Sequence, residues 1–281
     1  MTIKTILLPR DQAEITGEVL AVGLAVARQF NAHIELLLLR RDPDDAVPFV
    51  FGTLSSDRLR KTVVDAAQRE ENERAVAIRQ KFDEFCTKHG IPIVDAAAEA
   101  PDTVTASWQE REQDALVQRG RLHDLIIVAR PEGKATPQLL ETVLLETTRP
   151  ILVAPPKALP SIGERIVIGW NSSAEAAQAV ASALPFLVRA KAVTILTASK
   201  RLQNSNELVE YLRWHGIKAE VKVFQQPGRS VGATLLAEAK SLAADLLVIG
   251  GYSHTRARQL LFGGVTQHFI ANADLPVLMA H

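Results

Sequence analysis

Two glycine pairs near the end of the sequence, Gly250-Gly251 and Gly263-Gly264, have the spacing of a phosphate-binding site. An apolar run ends at the first pair, and the second pair opens a helical pattern that begins with Val265 and Thr266. Backbone without side chains can approach a phosphate closely, and a helix start offers unpaired N–H groups and the positive end of a dipole. The arrangement therefore predicts half of a nucleotide pocket.

The residues around these glycines allow a second interpretation, in which the glycines only form tight turns. Arg256 and Arg258 in the loop between the pairs could neutralise phosphate charge, or they could belong to a solvated basic turn. His254 is better interpreted as a surface residue. Phosphate binding is favoured because open parallel sheets bind ligands beyond the carboxyl ends of their strands.

Composition limits the classes of protein that the chain can belong to. The 281 residues suffice for two domains, and 32 basic residues balance 32 acidic ones, which argues against binding to nucleic acid or to anionic membranes. The single cysteine, Cys86, excludes an internal disulfide, and its helical setting indicates an inert core thiol. No signal peptide or membrane-length apolar run is recognised, so we expect a cytoplasmic protein.

The elements that must position the glycines alternate between strand and helix. Runs such as His33–Leu39 are too continuously apolar for an exposed sheet, so they predict parallel strands covered on both faces. The predicted strands are Ile3–Pro9, His33–Leu39, Ile91–Ala96, Asp124–Ala129, Ile151–Ala154, Arg165–Gly169, Val193–Ala198, Ala219–Phe224, Asp245–Gly250 and Pro276–Met279. The predicted helices are Ala13–Phe30, Leu59–His89, Val104–Arg119, Pro137–Thr147, Ala174–Arg189, Asn206–His215, Ser230–Leu242 and Val265–Asn272, with a loop at Asp42–Ser56.

The two halves of the sequence repeat each other across a proline-rich linker, Pro155–Ser161. Asp124–Ala129 parallels Asp245–Gly250, and Ile6–Pro9 parallels Val167–Trp170. We therefore predict two tandem domains, residues 1–155 and 163–281, each a five-stranded parallel sheet with helices on both faces. The recurring Asp124 and Asp245 are interpreted as structural turn or cap residues.

On these residues the sequence resembles the universal stress protein family in its tandem, two-domain form. Nucleotide-binding members carry a glycine, two residues, a glycine, nine residues, and a glycine followed by serine or threonine. Gly250 matches the first glycine and Gly263 the third, while Ser253 stands at the second. Gly264 stands at the hydroxyl position, and Val265 and Thr266 match the residues that follow. The resemblance implies Rossmann-like domains of the adenine nucleotide alpha hydrolase type.

The departures from the family pattern change the chemistry of the pocket. Ser253 fits without strain only if its φ is negative, and Gly264 lacks a hydroxyl, which Thr266 could supply instead. The family places an acidic residue just after the first strand, where this chain has Asn171. Asn171 keeps a hydrogen-bonding side chain but loses the charge.

Residues at the ends of two strands in the second half complete the candidate pocket. Gly169 and Trp170 precede Asn171, and Trp170 could stack on an adenine or simply be buried. Thr197 ends the neighbouring strand and would flank the base by topology. Ser172 and Ser173 are most simply interpreted as caps of the following helix.

The first half lacks the glycines, since Arg130–Leu139 contains Pro131 and Glu132 at the equivalent place. This half is predicted to serve in pairing and scaffolding. Because only the second half has these glycines, we infer that folding alone does not require them.

The resemblance implies a stress-response regulator that binds ATP or another adenine nucleotide in the second half, with or without Mg²⁺. Backbone N–H groups from Gly251 to Ser253 and from Gly263 to Thr266 would hold the phosphates. The partners would be the nucleotide and a second subunit, or the two halves would form an intramolecular pseudo-dimer. The alternative is an interaction module with both pockets degenerate. An enzyme is less favoured, because no placed base, metal site or attacking group is recognised, and hydrolysis would be slow at most.

Overall fold

Alternation of strands and helices along the chain is the main feature of the structure. The computed structural model describes residues 2–11, 17–47, 57–97, 102–130, 138–157, 161–198, 202–225, 230–251 and 264–281. The strands are β1 Thr5–Arg10, β2 His33–Arg40, β3 Thr105–Glu112, β4 Leu125–Ala129, β5 Ile151–Ala154, β6 Arg165–Gly169, β7 Ala192–Ala198, β8 Ala219–Phe224, β9 Leu246–Gly250 and β10 Val277–Ala280. The helices are α1 Gly17–Phe30, α2 Asp57–His89, α3 Ala115–Gly120, α4 Gln138–Glu146, α5 Ala174–Leu187, α6 Leu202–Trp214, α7 Val231–Ser241 and α8 Gly264–Asn272.

All the named strands form one sheet of ten, in the order β3-β2-β1-β4-β5-β10-β9-β6-β7-β8. Each half contributes five strands in the same order, and within each half the pairings are parallel. The halves meet where β5 pairs antiparallel with β10. The predicted mixed α/β, Rossmann-like architecture is confirmed, and the two five-stranded sheets are continuous.

The buried strands and the helices packed against them form apolar clusters that contain residues of both halves. The strands β4, β5 and β10 are buried at nearly every position, as the continuous apolar runs predict. In the described part of the chain, no helix is long and apolar enough to cross a membrane.

Residues 91–119 are the part of the described chain where the predicted elements are wrong. The predicted helix Val104–Arg119 is instead the edge strand β3 followed by the short helix α3. The predicted strand Ile91–Ala96 contributes only an isolated bridge between Ile93 and Ala106. An edge strand has one exposed side, so β3 carries charged residues that resemble a helical surface pattern. The predicted loop Asp42–Ser56 contains a 3-10 helix at Pro43–Ala46.

An aspartate carboxylate, half-buried at Asp124 and buried at Asp245, fixes the start of the first strand in each half. Asp124 Oδ2 accepts hydrogen bonds from the N–H of Lys4 at 2.8 Å and of Thr5 at 3.0 Å. Asp245 accepts from the hydroxyl of Ser161 at 2.5 Å and from the N–H groups of Gly163, Glu164 and Arg165 at 2.8–3.1 Å. The predicted structural role of Asp124 and Asp245 is confirmed.

The backbone hydrogen bonds of these aspartates also show which residues of the two halves are equivalent. The N–H of Asp124 donates to Thr5 O, and the N–H of Asp245 donates to Arg165 O, so Thr5 is equivalent to Arg165. Counting along the strands makes Arg10 equivalent to Trp170, and Asp11 equivalent to Asn171. The sequence-based alignment of Ile6–Pro9 with Val167–Trp170 is therefore wrong by one residue.

Replacing Asp245 by alanine should lower the free energy of unfolding by about 3 kcal/mol, because hydrogen bonds to a charged acceptor are lost and N–H groups lose their partner. The control is Asp274→Ala, since the Asp274 side chain is 69% exposed and its contact with Lys240 spans 4.0 Å. Urea unfolding of both variants measures the difference. Equal stabilities would contradict the structural role.

Candidate functional site

The carboxyl ends of β6 and β7 bring together most of the predicted base-binding residues. Gly169 ends β6 and is in register with Leu196 on β7. The N–H of Trp170 donates to Leu196 O at 2.9 Å, so Trp170 and Thr197 lie level on neighbouring strands. Ligands of open α/β sheets bind at this end of the strands.

Among the residues that the structure describes, three polar side-chain atoms at this place are buried without a hydrogen-bond partner: Trp170 Nε1, Ser172 Oγ and Thr197 Oγ1. Thr197 has no exposed surface. A buried polar atom without a partner destabilises a protein by about 1–3 kcal/mol, and most such atoms are satisfied. Their grouping therefore indicates a place for a polar ligand.

The loop between β6 and α5 holds the backbone of Ser172 in a strained conformation. Ser172 has a φ of 60°, in the left-handed region that disfavours residues with a Cβ by about 1 kcal/mol or more. The oxygen Oδ1 of Asn171 accepts from the N–H of Ser173 at 3.0 Å and fixes the turn. Ser173 caps α5 by accepting from the N–H of Ala176 at 3.2 Å.

The capping role predicted for Ser173 is thus confirmed, whereas Ser172 has a different environment. As a site residue Ser172 was missed by sequence reasoning. Its φ and its unpartnered hydroxyl depend on how the loop enters α5, which no residue pattern shows.

Gly250 is required by packing between β9 and α5. A Cβ at Gly250 would lie 2.6 Å from the backbone nitrogen of Ala176 and 2.8 Å from the carbonyl carbon of Glu175. Backbone atoms cannot give way as a flexible side chain can. The sequence-based inference that folding does not demand these glycines is therefore wrong at Gly250. The equivalent position in the first half is Ala129, which has a Cβ.

Gly251 is also engaged by the protein itself. Its N–H donates to Ala280 O at 2.8 Å, and a Cβ would lie 3.3 Å from Leu144 Cδ1 in the first half. This N–H is therefore not available as the predicted phosphate donor.

The predicted phosphate-binding stretch is described only in part. Helix α8 begins at Gly264, Val265 is 38% exposed and Thr266 is buried. Ser253 and Gly263 lie outside the described residues, as do the loop residues His254, Arg256 and Arg258. In the first half, the segment 131–137 also lies outside them.

The groups whose pKa is shifted, among the residues described, all lie in the first half. Burial lowers the pKa of His33 and His123, whose rings lie near Glu35. Burial raises the pKa of the Cys86 thiol to about 11, so the predicted inert thiol is confirmed. Burial lowers the pKa of Arg10 to about 10.

Comparison with known proteins agrees with the resemblance and with the fold. Residues 196–281 match the universal stress protein family. A universal stress protein from Archaeoglobus fulgidus DSM 4304 has a similar structure, with a TM-score of 0.67 and 16% identity over 98% of this chain and 97% of that chain. A functionally unknown protein from Pseudomonas aeruginosa PAO1 also has a similar structure, with a TM-score of 0.53 and 15% identity over 99% of this chain and 92% of that chain. Because the sequence identities are this low, the structural similarity shows the fold alone. No curated protein sequence matches the chain.

Gly250→Ala should lower the free energy of unfolding by about 2 kcal/mol or more, because the new methyl group collides with the backbone of α5. Gly17→Ala is the control, since a Cβ at Gly17 has no atom within 4 Å and alanine favours a helix. Thermal unfolding of the two variants, without added ligand, gives the comparison. A Gly250→Ala protein as stable as the wild type would contradict the packing role.

Proposed function

We propose, from the universal stress protein family that the C-terminal region matches, that the second half binds ATP or another adenine nucleotide. The site would be formed by the carboxyl ends of β6 and β7, the loop to α5 and the start of α8. The observation that carries this proposal is the group of unpartnered buried atoms on Trp170, Ser172 and Thr197. The protein would act as a stress-response regulator through the occupancy of this site.

The chemistry of these atoms suits an adenosine group. Trp170 Nε1 can only donate a hydrogen bond, whereas the hydroxyls of Ser172 and Thr197 can donate and accept. Adenosine offers ring nitrogens as acceptors, an exocyclic amine as a donor, and ribose hydroxyls. A polar and rigid ligand of this kind can satisfy all three atoms together.

The start of α8 supports the phosphate part of the proposal. The first N–H groups of a helix have no partner within the helix, and the helix dipole favours negative charge beside them. In this chain those groups belong to Gly264, Val265 and Thr266. Since the N–H of Gly251 is engaged, phosphate binding rests on α8 and on the neighbouring residues outside the described part.

An interaction module remains the second candidate function. It is favoured by two groups that the protein itself engages: the N–H of Gly251, bonded to Ala280 O, and Oδ1 of Asn171, bonded to Ser173. In that case the protein would act by docking to a partner. Direct measurement of nucleotide binding separates the two functions.

The direct test begins with the purified protein, whose small molecules are released by denaturation and identified by mass. ATP is then titrated by calorimetry, with and without Mg²⁺. We expect a retained adenine nucleotide or saturable heat. No nucleotide and no heat at millimolar ATP would exclude nucleotide binding and favour the interaction module.

Thr197→Val should weaken ATP binding by about fivefold or more, because one hydrogen bond to the ligand is lost. The ligand-free variant should be at least as stable as the wild type, since a buried hydroxyl without a partner is removed. Calorimetry gives the affinity, and urea unfolding without ligand gives the stability.

Thr147→Val is the matched control, because Thr147 is equally buried and its hydroxyl donates to Val143 O. It should lower stability by about 1 kcal/mol and leave ATP affinity unchanged. If Thr197→Val lowers stability as Thr147→Val does and leaves ATP affinity unchanged, Thr197 does not contact the ligand.

A further inference from the structure

A buried arginine at the end of β1 has no hydrogen-bonded carboxylate at the Nε–Nη2 edge of its side chain among the described residues. Arg10 is 3% exposed, and its Nε and Nη2 atoms have no hydrogen-bond partner in the part of the chain that the structure describes. The pKa of Arg10 is lowered by burial only to about 10, so the guanidinium is charged at neutral pH. A buried charged group whose N–H donors lack acceptors is unfavourable, so this arrangement favours an anion at that edge of the guanidinium.

Arg40 and Arg74, two other arginines of the first half, show what Arg10 lacks. Arg40 pairs with Glu110 at 2.8 Å. Arg74 donates to both carboxylate oxygens of Glu71, at 2.6 and 3.1 Å, and also to Asp11 O. Both carboxylates are thus engaged by other arginines. Asp11, which follows Arg10 in sequence, raises the pKa of Arg10 through its charge, yet Nε and Nη2 remain without a hydrogen bond.

The two unpartnered atoms of Arg10 form one fork. Nε–H and Nη2–H point in parallel from the same edge of a guanidinium, a geometry that matches two oxygens of a carboxylate or a phosphate. The same chain uses this edge elsewhere: Arg119 Nε donates to Glu35 Oε1 at 3.0 Å, and Arg119 Nη2 donates to Glu35 Oε2. Arg10 presents the same fork with no carboxylate from the described residues bound to it.

The position of Arg10 in the fold is the position of a ligand group. Arg10 is the structural equivalent of Trp170, whose Nε1 is one of the buried atoms of the second half without a hydrogen-bond partner among the described residues. It lies at the carboxyl end of β1, which is flanked by β2 and β4. The direction of the chain crossovers reverses between β1 and β4, and sheets of this type bind ligands beside such a reversal. At these equivalent positions each half has a buried donor without a partner among the described residues, an indole N–H in the second half and a guanidinium fork in the first.

We propose that the first half is an oxyanion-binding site, in which Arg10 Nε and Nη2 hold the carboxylate or phosphate group of a small molecule by two parallel hydrogen bonds. This site is independent of the nucleotide proposed for the second half. Sequence interpretation assigned the first half to pairing and scaffolding. The proposed site gives this half a ligand chemistry of its own.

The test uses the full chain labelled with ¹⁵N-arginine, in a buffer free of phosphate and carboxylate. Inorganic phosphate and acetate are titrated separately, with sodium chloride at matched ionic strength as the reference. The Nε–H signal of Arg10, assigned from its absence in Arg10→Lys, should shift saturably with phosphate, acetate or both, and not with chloride. A response to phosphate alone identifies a phosphate ligand, and a response to acetate alone identifies a carboxylate ligand.

Two variants test whether Arg10 is the binding group. Arg10→Met should weaken binding of the responding anion by about tenfold or more, measured by calorimetry or by anion-dependent thermal stabilisation. Arg40→Met should leave that binding unchanged, because Arg40 already has Glu110 as its partner.

An unshifted Arg10 signal, or equal anion binding by the wild type and Arg10→Met, would overturn the proposal. Arg10 would then be neutralised within the chain, by acids such as Glu14 and Glu132 outside the described residues. The titration of the wild-type protein decides the question even if Arg10→Met does not fold.

Discussion

Three residue pairs between β5 and β10 join the two parallel halves into one sheet: Val277 with Val153, Leu278 with Leu152, and Met279 with Ile151. All these side chains are buried. Separated halves would each expose an edge of unpaired N–H and C=O groups beside apolar side chains, which is a strong drive to associate. The rest of the structure depends on this pairing, because it places the last strand of each half in the interior.

Contacts beside this pairing hold the residues at the end of β9 and the helices next to them. Ala280 at the end of β10 accepts the N–H of Gly251, and Gly251 faces Leu144 of the first half. On the α1 and α5 side, the rings of Phe30 and Phe186 meet edge to face at 5.1 Å. Gly251, directly after β9, is therefore held by contacts with both halves.

Much of this architecture could be predicted from the sequence, because buried parallel strands leave continuous apolar runs such as Leu246–Gly250. The edge strand β3 could not, since one of its sides faces solvent and Trp108–Glu112 has the charge density of a surface helix. The pairing of β5 with β10 left no signal of its own in the residues. The periodicity of apolar residues indicates burial, and burial at a sheet edge or at the pairing of β5 with β10 depends on a distant part of the chain.

The glycines show the same limit of sequence-based prediction, because a glycine beside a strand end is equally compatible with phosphate binding and with close packing. At Gly250 the distance of 2.6 Å that would separate an added Cβ from Ala176 N supplies a packing reason.

The positions of the buried polar atoms that lack hydrogen-bond partners relate the fold to the proposed functions. In the described residues, the buried side-chain atoms without a partner are those of Arg10, Trp170, Ser172 and Thr197. These residues are ordinary in sequence, and their lack of partners is visible only after folding. All lie at or just after the carboxyl ends of β1, β6 and β7. Defects of folding would be scattered over the molecule, whereas ligand positions are expected at this edge. At the equivalent position the second half has the neutral indole N–H of Trp170 and the first half has the guanidinium of Arg10.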